Sequence, residues 1–322
     1  MNNQDKVILG IDISKKNFDV ALLLAGGKRK NKKFPNHHDG FNELQVWLER
    51  FEFSSLHACL EATNMYGHAL AEFLFDCGYS VSMVNPARIK GFAQGELLRT
   101  KTDKQDASLI ARFCEKMTPS LWTPEPRNVR ELKALVRRLD ALTEMQQQEV
   151  NRLDVADEVI RAEISGHIDV LDERIRQVRE QVQKHIDDDP GLREQRELLL
   201  SIPGIGEKTV ATLLSYFAQI SSFSSAKQLA AFIGVTPREI QSGTSINRYG
   251  RMSKVGPAAL RKALFFPAMV AIRHNPAIQV FSQRLSEAGK CKMVIIGAAM
   301  RKLVHIIYGV LKNRTPFVYQ GA

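Results

Sequence analysis

Between residues 6 and 115 the chain carries three strand signals in a row and then alternates helix with strand, an order that few folds accommodate. KVILGID and FDVALLL are apolar β runs, and the Gly26-Gly27 pair turns the chain into a third, the basic KRKNKKF. A helical pattern (FNELQVWLERF) follows, then a strand SLHACLE, a helix YGHALAEFLFDCG, a strand YSVSMVN and helices from Pro86 onward. A three-strand meander succeeded by parallel crossovers predicts a mixed α/β sheet. The lysine-rich third strand is either an edge guarded by charge or a contact for nucleic acid.

Past the PEP turn at Pro124–Pro126 the periodicity changes. Leu132, Leu135, Leu139 and Leu142 keep alternating three- and four-residue steps, and after an interruption at Ser165-Gly166 the pattern resumes at Ile168, Leu171, Ile175, Val178 and Val182. These are heptad seams, which predict coiled-coil helices: an internal hairpin or a dimerisation element. Gln146–Gln148 weaken the first seam, and the acidic DDDPG at 187–191 ends the second. The chain therefore divides into an α/β domain over 1–124, coiled-coil helices over 125–197 and a mostly α-helical domain over 198–322. The last opens with Ile202-Pro203-Gly204-Ile205-Gly206 and a helix carrying Lys208, the string of a helix-hairpin-helix element. There Gly204 and Gly206 let the backbone approach a phosphate held by helix N–H groups, or they form a plain turn between core helices.

Charge separates these regions. From Asn247 to the C-terminus there are 13 Lys and Arg against one acid, Glu287, so all of the +10 net charge lies in the last quarter. Such a basic end is either a solubility device or a binding face. Its residues are interleaved with apolar helix, as at Arg261 and Lys262 in RKALFFPAMVAIR and in MRKLVHIIYGVLK. That predicts a folded basic face, joined by Arg248, Arg251 and Lys254, whose partner is a polyphosphate backbone. No apolar run approaches bilayer-spanning length; MVIIGAAM and LVHIIYGVL are short and bounded by Lys and Arg. No signal-peptide pattern opens the chain. Cys59, Cys77, Cys114 and Cys291 lack metal-site spacing, and three lie in apolar runs. They read as reduced core residues of a cytoplasmic protein.

Two predicted strands end in acids: Asp12 in ILGID and Glu61 in CLEAT. Open α/β sheets place their sites at such carboxyl ends. Asp103 and Asp106, in KTDKQDASLIARF, share one face of a helix start, where Asp-x-x-Asp serves either as solvated charge or as half of a metal site. Four carboxylates converging without a cation would repel strongly, about 4 kcal/mol per pair at 4 Å and a surface-like dielectric. Convergence therefore predicts a divalent ion, and all-oxygen donors favour magnesium or manganese. Two such ions activate the attacking oxygen and stabilise the leaving oxygen in phosphoryl transfer.

The second dense stretch, TPREIQSGTSINRYGRMSKVGPAALRKAL, sets Ser242 beside Gly243, Thr244 and Ser245, ahead of Arg248, Arg251 and Lys254. Gly256-Pro257 then opens a helix, with Pro at its first position. A serine in such cationic surroundings is either a nucleophile toward a phosphodiester or part of a loop that only binds DNA.

The order strand-end Asp, strand-end Glu, helical D-x-x-D resembles the ribonuclease-H-like fold in its RuvC-type resolvase form. Actin-like sugar kinases also begin with Gly-Ile-Asp, but Ile13-Ser14-Lys15-Lys16 replaces their glycine-rich phosphate loop. Nearly end to end, through G-I-D-x-S, E-A-T, N-P, K-T-D-x-x-D-A, I-P-G-I-G-E-K-T, F-x-G-x-T-P-R with S-G-T-S, and R-M-S-K-x-G, the chain resembles the DEDD transposases of bacterial insertion sequences. That group includes the pilin-gene invertases and the bridge-RNA-guided recombinases. Asn64 departs from it, standing where the family has Gly after E-A-T.

The resemblance implies a catalytic set of Ser242 with the metal-holding tetrad Asp12, Glu61, Asp103 and Asp106, and a phosphoserine-linked DNA intermediate. Donor and target DNA are the implied substrates, chosen by a noncoding guide RNA. A homo-oligomer, dimer or tetramer, is expected, with no membrane association, in a prokaryotic cytoplasm and on the nucleoid during action. The serine and the tetrad then meet within one chain or between subunits. A junction nuclease in which Ser242 only binds phosphate is the alternative enzyme. A binding protein without chemistry is the alternative outside enzymes.

Overall fold

The computed structural model describes residues 6–62, 65–96, 103–217, 220–238, 240–242, 246–248 and 251–319. It divides into two compact units, Met1–Pro124 and Glu125–Ala322.

The first unit is built on β1 (Lys6–Ile13), β2 (Asn17–Leu23), β3 (Arg29–Pro35), β4 (Ser55–Glu61) and β5 (Ser80–Val84), with α1 (His38–Leu48), α2 (His68–Asp76), α3 (Pro86–Gly95) and α4 (Asp103–Met117). The strands form one sheet in the order β3-β2-β1-β4-β5. β2 runs antiparallel to both neighbours, while β1 pairs with β4 and β4 with β5 in parallel. This mixed sheet, with β2 alone reversed, is the kind that the strand and helix signals predict, and its strand order is that of the ribonuclease-H-like fold that the resemblance implies. The basic β3 lies at its edge, with Arg29 to Lys33 all exposed.

Alternation along β1 decides what each face meets. Val7, Leu9 and Ile11 join α1 and α2 side chains such as Phe41, Leu44, Leu70 and Leu74 in one core. Ile8 points the other way, into a second core with Cys59, Val84 and the α4 residues Ala107, Ile110, Ala111 and Cys114. The N-P pair has a local cause: the Asn85 side chain accepts from the Ala87 N–H at 2.8 Å and Pro86 opens α3, so one dipeptide starts the helix. His57 is a satisfied core histidine, its Nε2 2.8 Å from Ser82 Oγ.

In the second unit α5 (Arg127–Asp154) and α6 (Glu158–Asp188) are joined by a three-residue turn, which makes them antiparallel. Cross-helix pairs run in step in opposite directions: Asn128 with His185 at 2.7 Å, Gln146 with Asp172, and Glu149 with His167 at 3.9 Å. The two leucine seams thus close on each other as an internal hairpin, with Leu142, Leu171 and Ile175 at its centre. No break occurs at Ser165-Gly166; α6 passes through it, and the turn falls at Val155–Asp157. A helix tolerates one exposed Gly at modest cost when its neighbours bury a continuous seam.

The base of the hairpin shares a core with the rest of the unit: Leu132, Val136, Val182 and Ile186 pack with residues of α7 (Pro190–Leu200), α8 (Glu207–Phe217), α9 (Ala226–Ile233), α10 (Ala258–His274), α11 (Pro276–Glu287) and α12 (Lys292–Asn313). Three expectations change here. The apolar stretches on either side of Arg301-Lys302 form the single helix α12, which by length and composition alone could cross a membrane. Its Ala299, Leu303, Val304, Ile307 and Leu311 are instead buried in this core. Cys77 and Cys291 are exposed, and only Cys59 and Cys114 are buried. Pro257 stands at the N-cap of α10, one residue ahead of its first turn.

Candidate active site

The parallel ladder between β1 and β4 sets Gly10 opposite Cys59 and Ile11 opposite Leu60. One residue further, Asp12 stands beside Glu61 at the carboxyl ends of adjacent strands, which lie about 4.8 Å apart. Both follow the alternation onto the face that α4 covers, because Ile8 and Cys59 lie there four and two residues earlier, respectively. Both are half-buried.

Gly10 explains why α4 lies so close. A Cβ on Gly10 would stand 2.2 Å from the Ala107 carbonyl oxygen and 2.3 Å from the Ala111 nitrogen. The glycine of G-I-D is therefore a packing position for a helix, not part of a phosphate loop. Asp106 immediately precedes Ala107 and continues, by steps of four and seven, the buried positions Ile110 and Phe113. It is half-buried on the helix that covers the Asp12–Glu61 face. Asp103 is the first residue of α4, but its side chain and that of Lys104 lie outside the described residues, as do Lys101 and Asn64 entirely. Among the described residues no three His, Cys, Asp or Glu side chains form a group set to hold a metal. The pair that the register does bring together is all oxygen. Hard carboxylates at two adjacent strand ends fit magnesium or manganese and do not resemble a zinc site.

Sequence reasoning missed a third carboxylate at this level. Asp19 is the cross-strand partner of Asp12, and Lys33 on β3 is the partner of Asp19. Cross-strand partners share a face, so Lys33, Asp19, Asp12 and Glu61 form one row across four strands. Asp19 is 8% exposed and its Oδ2 lies 3.4 Å from Lys33 Nζ. The signal was the alternation of FDVALLL, which turns Asp19 away from Phe18 and Val20.

Beneath this row the buried Cys59 thiol is pushed well above its usual range by its hydrogen bond with Cys114 and by burial. Protonated and enclosed, it is packing, not a nucleophile. On the flank, Glu96 pairs with Arg112 and Lys116, each at 2.7 Å, and its carboxyl is held below the ordinary range chiefly by the Lys116 hydrogen bond. These pairs fasten the end of α3 to α4.

In the second unit Ser242 closes the short strand β6 (Ile240–Ser242), paired with β7 (Ile246–Arg248). Below them the ladder continues as the Pro237–Met252 bridge, with Arg238 N–H to Arg251 O at 2.9 Å and Lys254 N–H to Gly234 O at 3.0 Å. Ser242 is thereby carried to the far end of a hairpin. Its side chain and that of Arg248, and all of Gly243, Thr244 and Ser245, lie outside the described residues.

The basic residues divide into two kinds. Arg251 and Lys254 are exposed. Arg261 instead donates from Nη1 to the carbonyls of Ile233 at 2.9 Å and Gly256 at 2.8 Å, tying the end of α9 to the start of α10. Lys262 pairs with Glu144 of α5 at 2.9 Å, which raises its pKa. In the Ile202–Gly206 turn, Gly204 has φ +105 and its missing Cβ makes room for Pro267 O and Ala271 Cβ, each 2.9 Å from where that atom would be. Its close approach is to α10. Gly206, by contrast, faces open space at the start of α8. Lys208 lines a cavity of about 740 Å3 between α5, α6 and α8 together with Asp140, whose carboxyl is raised by burial and drawn back by Lys208 and Lys262.

Residues 9–156 match a family model for DEDD transposases of the IS110 type, a span that contains all four predicted carboxylates. Residues 196–283, which contain Ser242, match the model described as "Transposase IS116/IS110/IS902 family". The chain is 38% identical to the pilin gene-inverting protein of Moraxella bovis over 97% of its own length and 98% of the relative's. It is 22% identical to the transposase for insertion sequence element IS1328 of Yersinia enterocolitica, over 96% and 98%. Among solved structures it is similar to Thermus thermophilus RuvC, with 17% identity and a TM-score of 0.22 over 38% of this chain and 84% of that one. With both halves of the sequence matched and a relative similar over almost the whole length, the chain belongs to the IS116/IS110/IS902 family of transposases.

Proposed function

We propose that this transposase cuts and rejoins DNA at a composite site in which Ser242 is the nucleophile and Asp12, Glu61, Asp103 and Asp106 hold magnesium or manganese. The observation that carries the reading is the β1–β4 register, which sets Asp12 beside Glu61 on the face under α4. The names of the relatives, a gene-inverting protein and an insertion-sequence transposase, support DNA as the substrate. In this scheme the Ser242 hydroxyl oxygen bonds to a backbone phosphorus as the bond from phosphorus to a deoxyribose oxygen breaks. The hydroxyl proton leaves to a base or water, and the freed sugar hydroxyl takes one up. A bound divalent ion supplies electrostatic stabilisation of the attacking and leaving oxygens. Asp12 and Glu61, fixed at the ends of paired strands, hold the carboxylate geometry without loop movement. Target choice through a noncoding guide RNA and assembly as a dimer or tetramer follow from the resemblance to the bridge-RNA-guided group.

Trapping the protein on a DNA substrate tests the chemistry. The wild-type protein is expected to give a denaturation-resistant adduct, and Ser242→Ala none. Cleavage without any adduct would favour the junction nuclease, in which Ser242 only binds phosphate.

The two kinds of basic residue are expected to respond differently. Arg251→Ala and Lys254→Ala should each weaken binding across sequences and flatten the plot of log affinity against log salt by about 0.9. Arg261→Ala should lower the melting temperature, because carbonyls now held by a guanidinium lose partners worth about 1.5–3 kcal/mol each. Salt titration and thermal melts of the same three variants check both statements.

A further inference from the structure

We infer that Asp19 is a positioning residue of the proposed metal site, acting through Asp12, with Lys33 as the counter-ion that sets its strength. The inference rests on the carboxylate reading above and adds two residues to it. Asp19 pairs directly with Asp12 across the antiparallel β1–β2 ladder, on the face that also carries Glu61. Directly opposite residues in such a ladder have Cβ atoms about 5 Å apart, and like charges there repel. An acid at that position, 8% exposed, works against the fold unless something offsets it. Lys33 does so from β3 at 3.4 Å, yet it is itself half in solvent, with 53% of its side chain exposed. Solvent screens the lysine more than the buried carboxylate, so the pair leaves a net negative field at Asp12. That field favours a cation beside Asp12 and holds the Asp12 carboxylate away from β2, toward Glu61.

The pairing has a signature that a merely structural ion pair lacks: its two members act on cation affinity in opposite directions. Asp19→Asn, isosteric and uncharged, is expected to weaken Mn2+ binding by about tenfold, the order expected for one unit charge several ångströms away at an intermediate dielectric. Lys33→Gln, which uncovers the Asp19 charge, is expected to tighten it several-fold. Both variants lose the same ion pair, so a structural role would lower both melting temperatures and leave Mn2+ affinity unmoved.

The experiment is Mn2+ titration of the full-length protein by calorimetry and by the electron paramagnetic resonance of free Mn2+, in wild type, Asp19→Asn, Lys33→Gln, the double variant and Asp12→Asn. The double variant removes both charges and leaves no lone buried acid, so it guards against misfolding of Lys33→Gln. It is expected to bind less tightly than wild type, because the nearer charge is the one that dominates. Wild-type affinity in Asp19→Asn or in the double variant overturns the inference. Wild-type affinity in Asp12→Asn overturns the carboxylate reading itself, so the two failures are distinguishable.

Discussion

Asp12→Asn is expected to fold and to lose DNA strand exchange by more than about 100-fold, beyond the roughly 10–100-fold that follows loss of a mere partner to a metal ligand. The substitution keeps the shape of the side chain. It removes the charge at the point where β1 and β4 bring two acids side by side. Glu61→Gln should behave alike, because the two positions are neighbours in one register and both belong to the proposed metal site. Thermal melts should stay close to wild type without metal, and the rise in melting temperature on adding Mn2+ should shrink or vanish. Strand exchange on a cognate substrate, measured with Mg2+ and Mn2+ titrated separately, checks the activity. Retention of both exchange and metal stabilisation would place the chemistry elsewhere.

The second large effect is expected at Gly10. An added Cβ would lie 2.2 Å from the Ala107 carbonyl oxygen and 2.7 Å from Ala111 Cα, and these are backbone atoms of α4 that no rotamer change can move aside. Gly10→Ala therefore forces α4 away from β1, at a cost at or above the roughly 1–3 kcal/mol typical of overpacking. Gly10→Val should cost more and lower the melting temperature of the first unit by roughly 10 °C or more. The same shift carries Asp106 away from the strands, so strand exchange should fall even at temperatures where the variant is folded. Calorimetry with hydrogen exchange of α4 amides separates the two effects. Unchanged protection of residues 107–114 would mean that α4 does not rest on Gly10.

Much of the first unit was legible in the sequence. Strand runs and helical runs bounded by Asn85-Pro86 or glycines fall within three residues of β1 to β5 and α1 to α3, the largest offset being at α1, because local alternation and capping act over a few residues. The seams of α5 and α6 were legible as seams. Whether they met each other or another chain was open, since a heptad pattern states only that an apolar stripe must be covered. The short turn at Val155–Asp157 folds one onto the other. The Ser165-Gly166 break was misread because glycine's helix cost is small beside the packing of a long seam. Reading α12 as two short segments erred similarly: Arg301 and Lys302 interrupt the apolar run in sequence, yet a helix turns both away from its buried stripe.

The chemical types at the candidate site were determined by sequence alone: Asp12 and Glu61 close apolar runs, and D-x-x-D opens a helical pattern. The same holds for the concentration of positive charge after Asn247. Tertiary structure decided which of these residues are neighbours. Register, a long-range property of paired strands, put Asp12 beside Glu61 and brought in Asp19 with its lysine from β3. Packing assigned Gly204 to α10 and Arg261 to three backbone carbonyls, although in sequence both read as phosphate contacts. The physical reason is range. Periodicity and capping are set by neighbours along the chain, whereas register and close packing are set by residues tens of positions away.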